Sequence, residues 1–206
     1  MWELGYSRSV TPGLFARYAG RFSHGARGRM EGWIEFVKSI EARQLPAARA
    51  IGTELLEPVN SFFNRVPSAA DLEIWGVEDY WATPAETLSI NGGDCEDYAI
   101  AKYITLKELG VPITKLRLVY AKTWWSRDAH LVLAYYSDPR ADPLILDNLQ
   151  GSIQPAAERP DLIPVFTFND EDLFLPQKDA SVLKVSPLSN RRWREVIEKL
   201  QRELTY

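Results

Sequence analysis

The chain has a single cysteine, Cys95, in the segment Gly92-Gly93-Asp94-Cys95-Glu96-Asp97-Tyr98, where two glycines open onto the pattern of a helix start. A helix N-terminus presents unpaired backbone N–H groups and the positive end of the peptide dipole, and both favour thiolate over thiol. His130 follows 35 positions later and Asp147 another 17 beyond that, each on or beside a short apolar run. Cysteine, histidine and carboxylate are the components of an activated thiol nucleophile. In that chemistry His130 takes the thiol proton and later returns it to a leaving amine, while Asp147 fixes the imidazole tautomer. Backbone N–H groups at the helix start, that of Cys95 included, would hold the oxyanion of a thioester-forming step. Water as second nucleophile makes this a peptidase; a lysine amine makes it a transglutaminase. Against this stands the ordinary fate of a free cysteine, a small buried hydrophobe. Carboxylates on both sides and two preceding glycines are unusual surroundings for a core thiol. His130 alone would read as a hydrogen-bonded core histidine; its company lifts it.

Asp94, Glu96 and Asp97 complicate the picture, because negative charge near a thiol raises its pKa and opposes the helix dipole. Asp94 at the N-cap with Asp97 three residues on also resembles a capping arrangement, to which Glu96 is not needed. Three carboxylates within four residues, without a second cysteine or a nearby histidine, are hard oxygen ligands suited to Ca²⁺ rather than zinc. Bound calcium would cancel their charge, so calcium-dependent activity is expected, with Asp79 and Asn91 as weaker candidates for the same shell. A solvated acidic turn without metal fits the spacing equally well. His24, the other histidine, falls in a Gly/Arg-rich stretch and reads as an exposed loop residue. Trp124 and Trp125 precede His130 in a loop that could wall a substrate cleft, although aromatic packing would also account for them.

The elements that must position these groups follow from periodicity. Residues 1–27 carry only a weak pattern and read as a loosely structured lead-in. Residues 28–206 read as one catalytic domain, helical over 28–110, sheet over 113–170 and closed by a helix over 189–204. Met30, Trp33, Ile34, Val37 and Ile40 form one helical stripe, and Ile51, Leu55, Val59, Phe62 and Val66 a second that Pro58 should kink or split. Thr83, Pro84 and Glu86 have the spacing of N-cap, N1 and N3 of a short helix leading to the glycine pair. From Asp94 to Leu109 the helix is apolar on most sides, as suits a buried element, and Gly110 ends it. The period then turns extended: Leu116–Trp124, Leu131–Tyr136, Leu144–Leu149 and Val165–Phe168 predict strands. The 17 residues between His130 and Asp147 are one hairpin, so both could face each other across adjacent strands. The fold class is therefore α+β, with a buried nucleophile helix packed on an antiparallel sheet.

A chain of 206 residues that is 46% hydrophobic and 12% aromatic can fill one good core. A formal charge of −4 gives a nucleic-acid partner no electrostatic support. No stretch approaches the roughly 20 apolar residues that cross a bilayer.

Four segments carry a resemblance: Asp79-Tyr80-Trp81-Ala82-Thr83-Pro84, the run from Gly92 to Tyr103, His130-Leu131-Val132-Leu133-Ala134-Tyr135-Tyr136 and Leu144-Ile145-Leu146-Asp147-Asn148. Together, over roughly residues 55–175, they resemble the bacterial transglutaminase-like cysteine proteinases of the LapG type. The resemblance implies a papain-like or transglutaminase-like fold, a Cys95, His130 and Asp147 triad, and calcium held by Asp94 and Glu96 with Asp97 nearby. It also implies a periplasmic endopeptidase that cleaves the N-terminal region of a large surface adhesin, often at paired alanines, and so releases cells from a biofilm. Members of the family are held inactive by the periplasmic domain of an inner-membrane receptor that senses cyclic di-GMP. A transglutaminase or deamidase using the same triad, and a non-catalytic binding module of the same fold, are the rival expectations.

Overall fold

In the computed structural model, described for residues 6, 12–21, 25–43, 54–124, 129–176 and 182–205, helices come first and a sheet follows. Helix α1 (Pro12–Arg21) occupies the stretch read from sequence as a loose lead-in, and it buries Leu14 and Tyr18. In α2 (Ala26–Glu41), Met30, Trp33, Val37 and Ile40 form the expected inward stripe. Helix α3 (Leu56–Phe63) begins later than the second stripe suggested, and Ile51 lies outside the described residues. Pro58 consequently falls in the first turn, where no intrahelical N–H is required, and neither kinks nor splits the helix. A short α4 (Asp71–Ile74) precedes α5 (Pro84–Ile90), where Thr83 and Glu86 make the reciprocal capping box. Asn91 closes α5 at φ 60°, a left-handed conformation that asparagine tolerates.

Helix α6 (Cys95–Glu108) is buried over most of its length, including Tyr98, Ile100, Tyr103 and Leu106. It packs on β1 (Leu116–Thr123), β2 (Ala129–Tyr135) and α3. The other strands are β3 (Leu144–Leu146), β4 (Gln154–Pro155), β5 (Leu162–Phe168), β6 (Leu173–Pro176) and β7 (Val182–Val185). All pairings are antiparallel, in the order β4-β3-β2-β1-β5-β6-β7. Alternation along the strands divides the apolar side chains. Leu116, Leu118, Leu131 and Leu133 join the main core with the helices, while Val119, Ala121, Val132 and Ala134 form a smaller cluster. The sheet thereby carries His130 early in β2 and Asp147 just past the end of β3, with α6 delivering Cys95 at its first position.

The terminal helix α7 (Arg191–Glu203) buries Trp193, Val196 and Leu200 in the same core. Its polar side chains grip the loop that leads to α5: Arg192 pairs with Asp79 at 2.8 Å, Lys199 with Glu86 at 2.9 Å and with the Trp81 carbonyl, and Glu203 accepts the Thr83 hydroxyl at 2.7 Å. The Tyr6 and Tyr18 hydroxyls also donate to Glu203, so the two ends of the chain meet there. Among the described residues no helix is long and apolar enough to cross a membrane.

Candidate active site

His130 Nε2 lies 2.8 Å from Asp147 Oδ1, both side chains being buried. Because an ionised carboxylate only accepts, that contact places a ring proton on Nε2, and among the described residues Nδ1 has no hydrogen bond. The sulfur of Cys95 sits against the same strand, 3.4 Å from the backbone N–H of Leu131, the residue after His130. Among the described residues no hydrogen bond joins the sulfur to the imidazole; the thiol instead donates to Glu96 Oε2 at 3.0 Å. Cys95 opens onto a cleft of about 590 Å³. One wall is apolar, from Tyr120, Leu131, Phe166, Leu173 and Leu175, and the other carries Asp79, Asp94 and Glu96. Neither His130 nor Asp147 lines this cleft, although Ala129 and Leu131, the neighbours of His130 in β2, do. Trp124, expected as a cleft wall, is 72% exposed and outside the cleft lining, while Trp125 and His24 lie outside the described residues.

Residues 37–160, which span these groups, match the sequence family of bacterial transglutaminase-like cysteine proteinases. The chain belongs to that family. Its structure is similar to those of Legionella pneumophila LapG in EGTA-treated form (TM-score 0.76, 35% identity, 91% of this chain and 96% of that one) and in calcium-bound form (TM-score 0.71, 37% identity, 91% and 97%). A third Legionella pneumophila LapG structure gives a TM-score of 0.75 at 35% identity over 91% and 94% of the two chains. No curated protein sequence matches the chain. The α+β architecture is thus a transglutaminase-like cysteine protease fold, and a protein is the substrate class that membership in this proteinase family carries.

For such a proteinase the thiol's surroundings are at first sight adverse. The helix N-terminus favours a lowered pKa and the flanking carboxylates a raised one; burial, and after it the Glu96 carboxylate, push the Cys95 thiol far up. Whatever neutralises Glu96 therefore lowers it again. The acidic side chains of the turn do not cap the helix. Asp94 is the N-cap of α6 yet makes no side-chain cap, and Asp97 accepts from the Ala82 N–H at 2.7 Å instead of closing a capping box. Asp71 Oδ1, Asp94 Oδ1 and Asp97 Oδ2 are buried and accept no hydrogen bond among the described residues.

Single atoms of Asp71, Asp94 and Asp97, of Asp71, Asp79 and Glu96, and of Asp94, Cys95 and Glu96 converge in three groups, each within 4.8 Å. Burial pushes Asp94 up to about 8, with Glu96 adding to it, and Asp71 up to about 6; Asp97 is raised as well. Orphaned, crowded, hard carboxylate oxygens are what a calcium ion needs, so the residues fit that ion.

Two residues of this neighbourhood had no signal in the sequence. Asp71 stands far upstream of the acidic turn, and it arrives because the chain before α4 bridges Ser68 to Gly93. Arg159 reaches Asp147 Oδ2 at 2.7 Å from a loop 12 residues on. Neither belongs to a local pattern.

Proposed function

We propose that the chain is a calcium-dependent cysteine endopeptidase in which Cys95 is the nucleophile, His130 the general base and acid, and Asp147 the residue that fixes the imidazole. The observation that carries this reading is the buried His130–Asp147 pair at 2.8 Å together with Cys95, which lines the cleft and whose sulfur lies 3.4 Å from the N–H of Leu131, the residue after His130. With Nε2–H committed to Asp147, Nδ1 is the nitrogen that receives the thiol proton once the sulfur turns from Glu96. Thiolate attack on a peptide carbonyl forms a C–S bond, and the electron pair moves to the carbonyl oxygen, where N–H groups at the start of α6 receive it. Collapse expels the amine, which takes the proton from His130. Water, deprotonated by the same ring, then hydrolyses the thioester and restores the thiol.

Asp71, Asp79, Asp94, Glu96 and Asp97 are the residues that would hold calcium. When bound, the ion supplies positive charge that neutralises the acidic turn. Glu96 is then occupied by charge compensation and no longer competes for the thiol proton. The half-apolar cleft suits an extended peptide, and the substrate in this reading is the N-terminal region of a large surface adhesin, cut near paired alanines in the periplasm. An inhibitory periplasmic receptor domain would control access to it.

Incubating the purified protein with a recombinant N-terminal adhesin fragment, first with calcium and then with chelator, separates the possibilities. Two fragments formed only with calcium mark a peptidase; a crosslinked product marks an acyl transferase, and an unchanged fragment bound to the protein marks a binding module. Cys95→Ala should abolish cleavage while the fragment still binds; continued cleavage would remove the nucleophile. Glu96→Ala should weaken calcium binding measured by calorimetry together with activity, and an unaltered calcium titration would take Glu96 out of the shell.

A further inference from the structure

A carboxylate that touches a catalytic imidazole through one oxygen can still swing about its own bond, and the ring swings with it. Asp147 is not free to do so. Its Oδ1 accepts from His130 Nε2 and, at 3.1 Å, from the Leu149 N–H. Its Oδ2 accepts from Arg159 Nη2 at 2.7 Å. Arg159 is only 3% exposed, and its fork is set by a second carboxylate: Nε donates to Asp161 Oδ1 at 2.9 Å and Nη2 to Asp161 Oδ2 at 2.7 Å. Asp161 is anchored in turn, for it directly precedes β5 and its carbonyl receives the Trp124 N–H at 3.2 Å beside the end of β1. The turn around Arg159 is closed by its own N–H on the Ala156 carbonyl at 3.0 Å and by the Leu162 N–H on its carbonyl at 3.1 Å.

We propose that Arg159, aligned by Asp161, is the positioning residue that fixes the Asp147 carboxylate and, through it, the orientation and tautomer of His130. A planar guanidinium suits this task because its donors lie in a rigid fork, whereas an ammonium is a rotating point charge. Outer partners of this kind orient the groups they touch and sustain their function without meeting substrate. Burial alone would push Asp147 up; hydrogen bonding and charge from His130, with Arg159 next, outweigh it and hold the carboxyl at about 2. Asp147 therefore stays an acceptor at every pH at which the enzyme would work. The inference rests on the Cys95, His130 and Asp147 reading above.

The test compares Arg159→Met, Arg159→Lys and Asp161→Asn with the parent protein. Two quantities are read: kcat and KM on the adhesin fragment, and the ¹H–¹⁵N ring spectrum of His130, which shares the chain with one other histidine. In Arg159→Met, kcat should fall roughly 10- to 100-fold with KM nearly unchanged, the cost of a misplaced catalytic group. The ring signal should change from one Nε2–H tautomer to a mixture, and added methylguanidinium should restore part of kcat. Arg159→Lys should fall between parent and Met. An unchanged kcat, or a lowered kcat with the His130 tautomer intact, overturns the proposal.

If Arg159→Met does not fold, Asp161→Asn decides: a several-fold loss of kcat with a disturbed ring signal supports it, and parent-like values of both overturn it. Cleavage by Cys95→Ala would instead overturn the assignment of Cys95 as the nucleophile, on which the triad reading rests. The ring spectrum needs no substrate, so the two failures are told apart.

Discussion

Gly93 shows how little room the acidic turn leaves. A methyl group there would stand 2.7 Å from Asp97 Oδ2 and 2.8 Å from Asp97 Cβ, and the second of these atoms is fixed by the helix. The glycine is needed for close approach, since its φ is not left-handed. Gly93→Ala should therefore displace Asp97 and reduce calcium affinity about tenfold or more by calorimetry, whereas Gly32→Ala, which meets nothing within 4 Å, should leave it unaltered. Equal affinities in the two variants would show that Asp97 is not sensitive to this contact. At this scale the sequence was informative where the groups are neighbours in the chain. Asp94, Glu96 and Asp97 could be named from adjacency, and His130 and Asp147 from hairpin spacing. Asp71 and Arg159 could not, because tertiary structure alone brings them in. The opposing effects of the helix start and of Glu96 on the thiol were both visible in the sequence, but the burial around the sulfur, which outweighs them, was not.

Helix α6 carries a second buried charge whose placement is costly. Lys102, seven positions after Cys95, is completely buried; among the described residues its Nζ makes no hydrogen bond and lies 5.9 Å from the centre of the Tyr98 ring, and burial lowers it to about 7 despite the opposing pull of Asp147. An amine lowered in the folded state but normal when unfolded loses stability as pH falls from about 10 towards 7. Lys102→Met should thus raise the stability measured at pH 7 by on the order of 1–3 kcal/mol, several degrees in thermal midpoint, with the gain shrinking near pH 10. A variant less stable at both pH values would show that the amine has a stabilising partner after all. The apolar surround of α6 was readable from its sequence, as were α2 and the Thr83 cap, because their signals repeat within a few residues. The brief β6 and β7 were not, since strands of four residues, one ending in Pro176, give too few alternations to register. Helix α1 was hidden for a similar reason: its inward residues Leu14 and Tyr18 are a single pair set among glycine and arginine.

Across the whole molecule, segments that contributed little to the family resemblance brace the site. Helix α7 holds Asp79 through Arg192 and the Thr83 loop through Glu203, whose carboxylate also receives Tyr6 and Tyr18. Burial, followed by repulsion from Glu86, raises Glu203 to about 7. A carboxyl raised in the folded state gives a contribution that is complete below about 4.5 and lost as pH climbs through 7. Glu203→Gln removes the charge and keeps one acceptor oxygen for Tyr18 and Thr83, its NH2 donating to the Tyr6 hydroxyl in place of the lost oxygen. Its stability relative to the parent should therefore rise by up to about 3 kcal/mol between pH 4.5 and pH 8. Parallel pH profiles in thermal melts would assign the dependence elsewhere. The chain's single thiol has its own consequence at this scale. A sulfenic acid formed at Cys95 by peroxide meets no second cysteine thiol in the chain with which to condense, so its repair depends on thiols supplied from outside. By the same arithmetic, one equivalent of an electrophilic tag per molecule labels a single defined position, and the dye-to-protein ratio counts accessible Cys95 thiols directly.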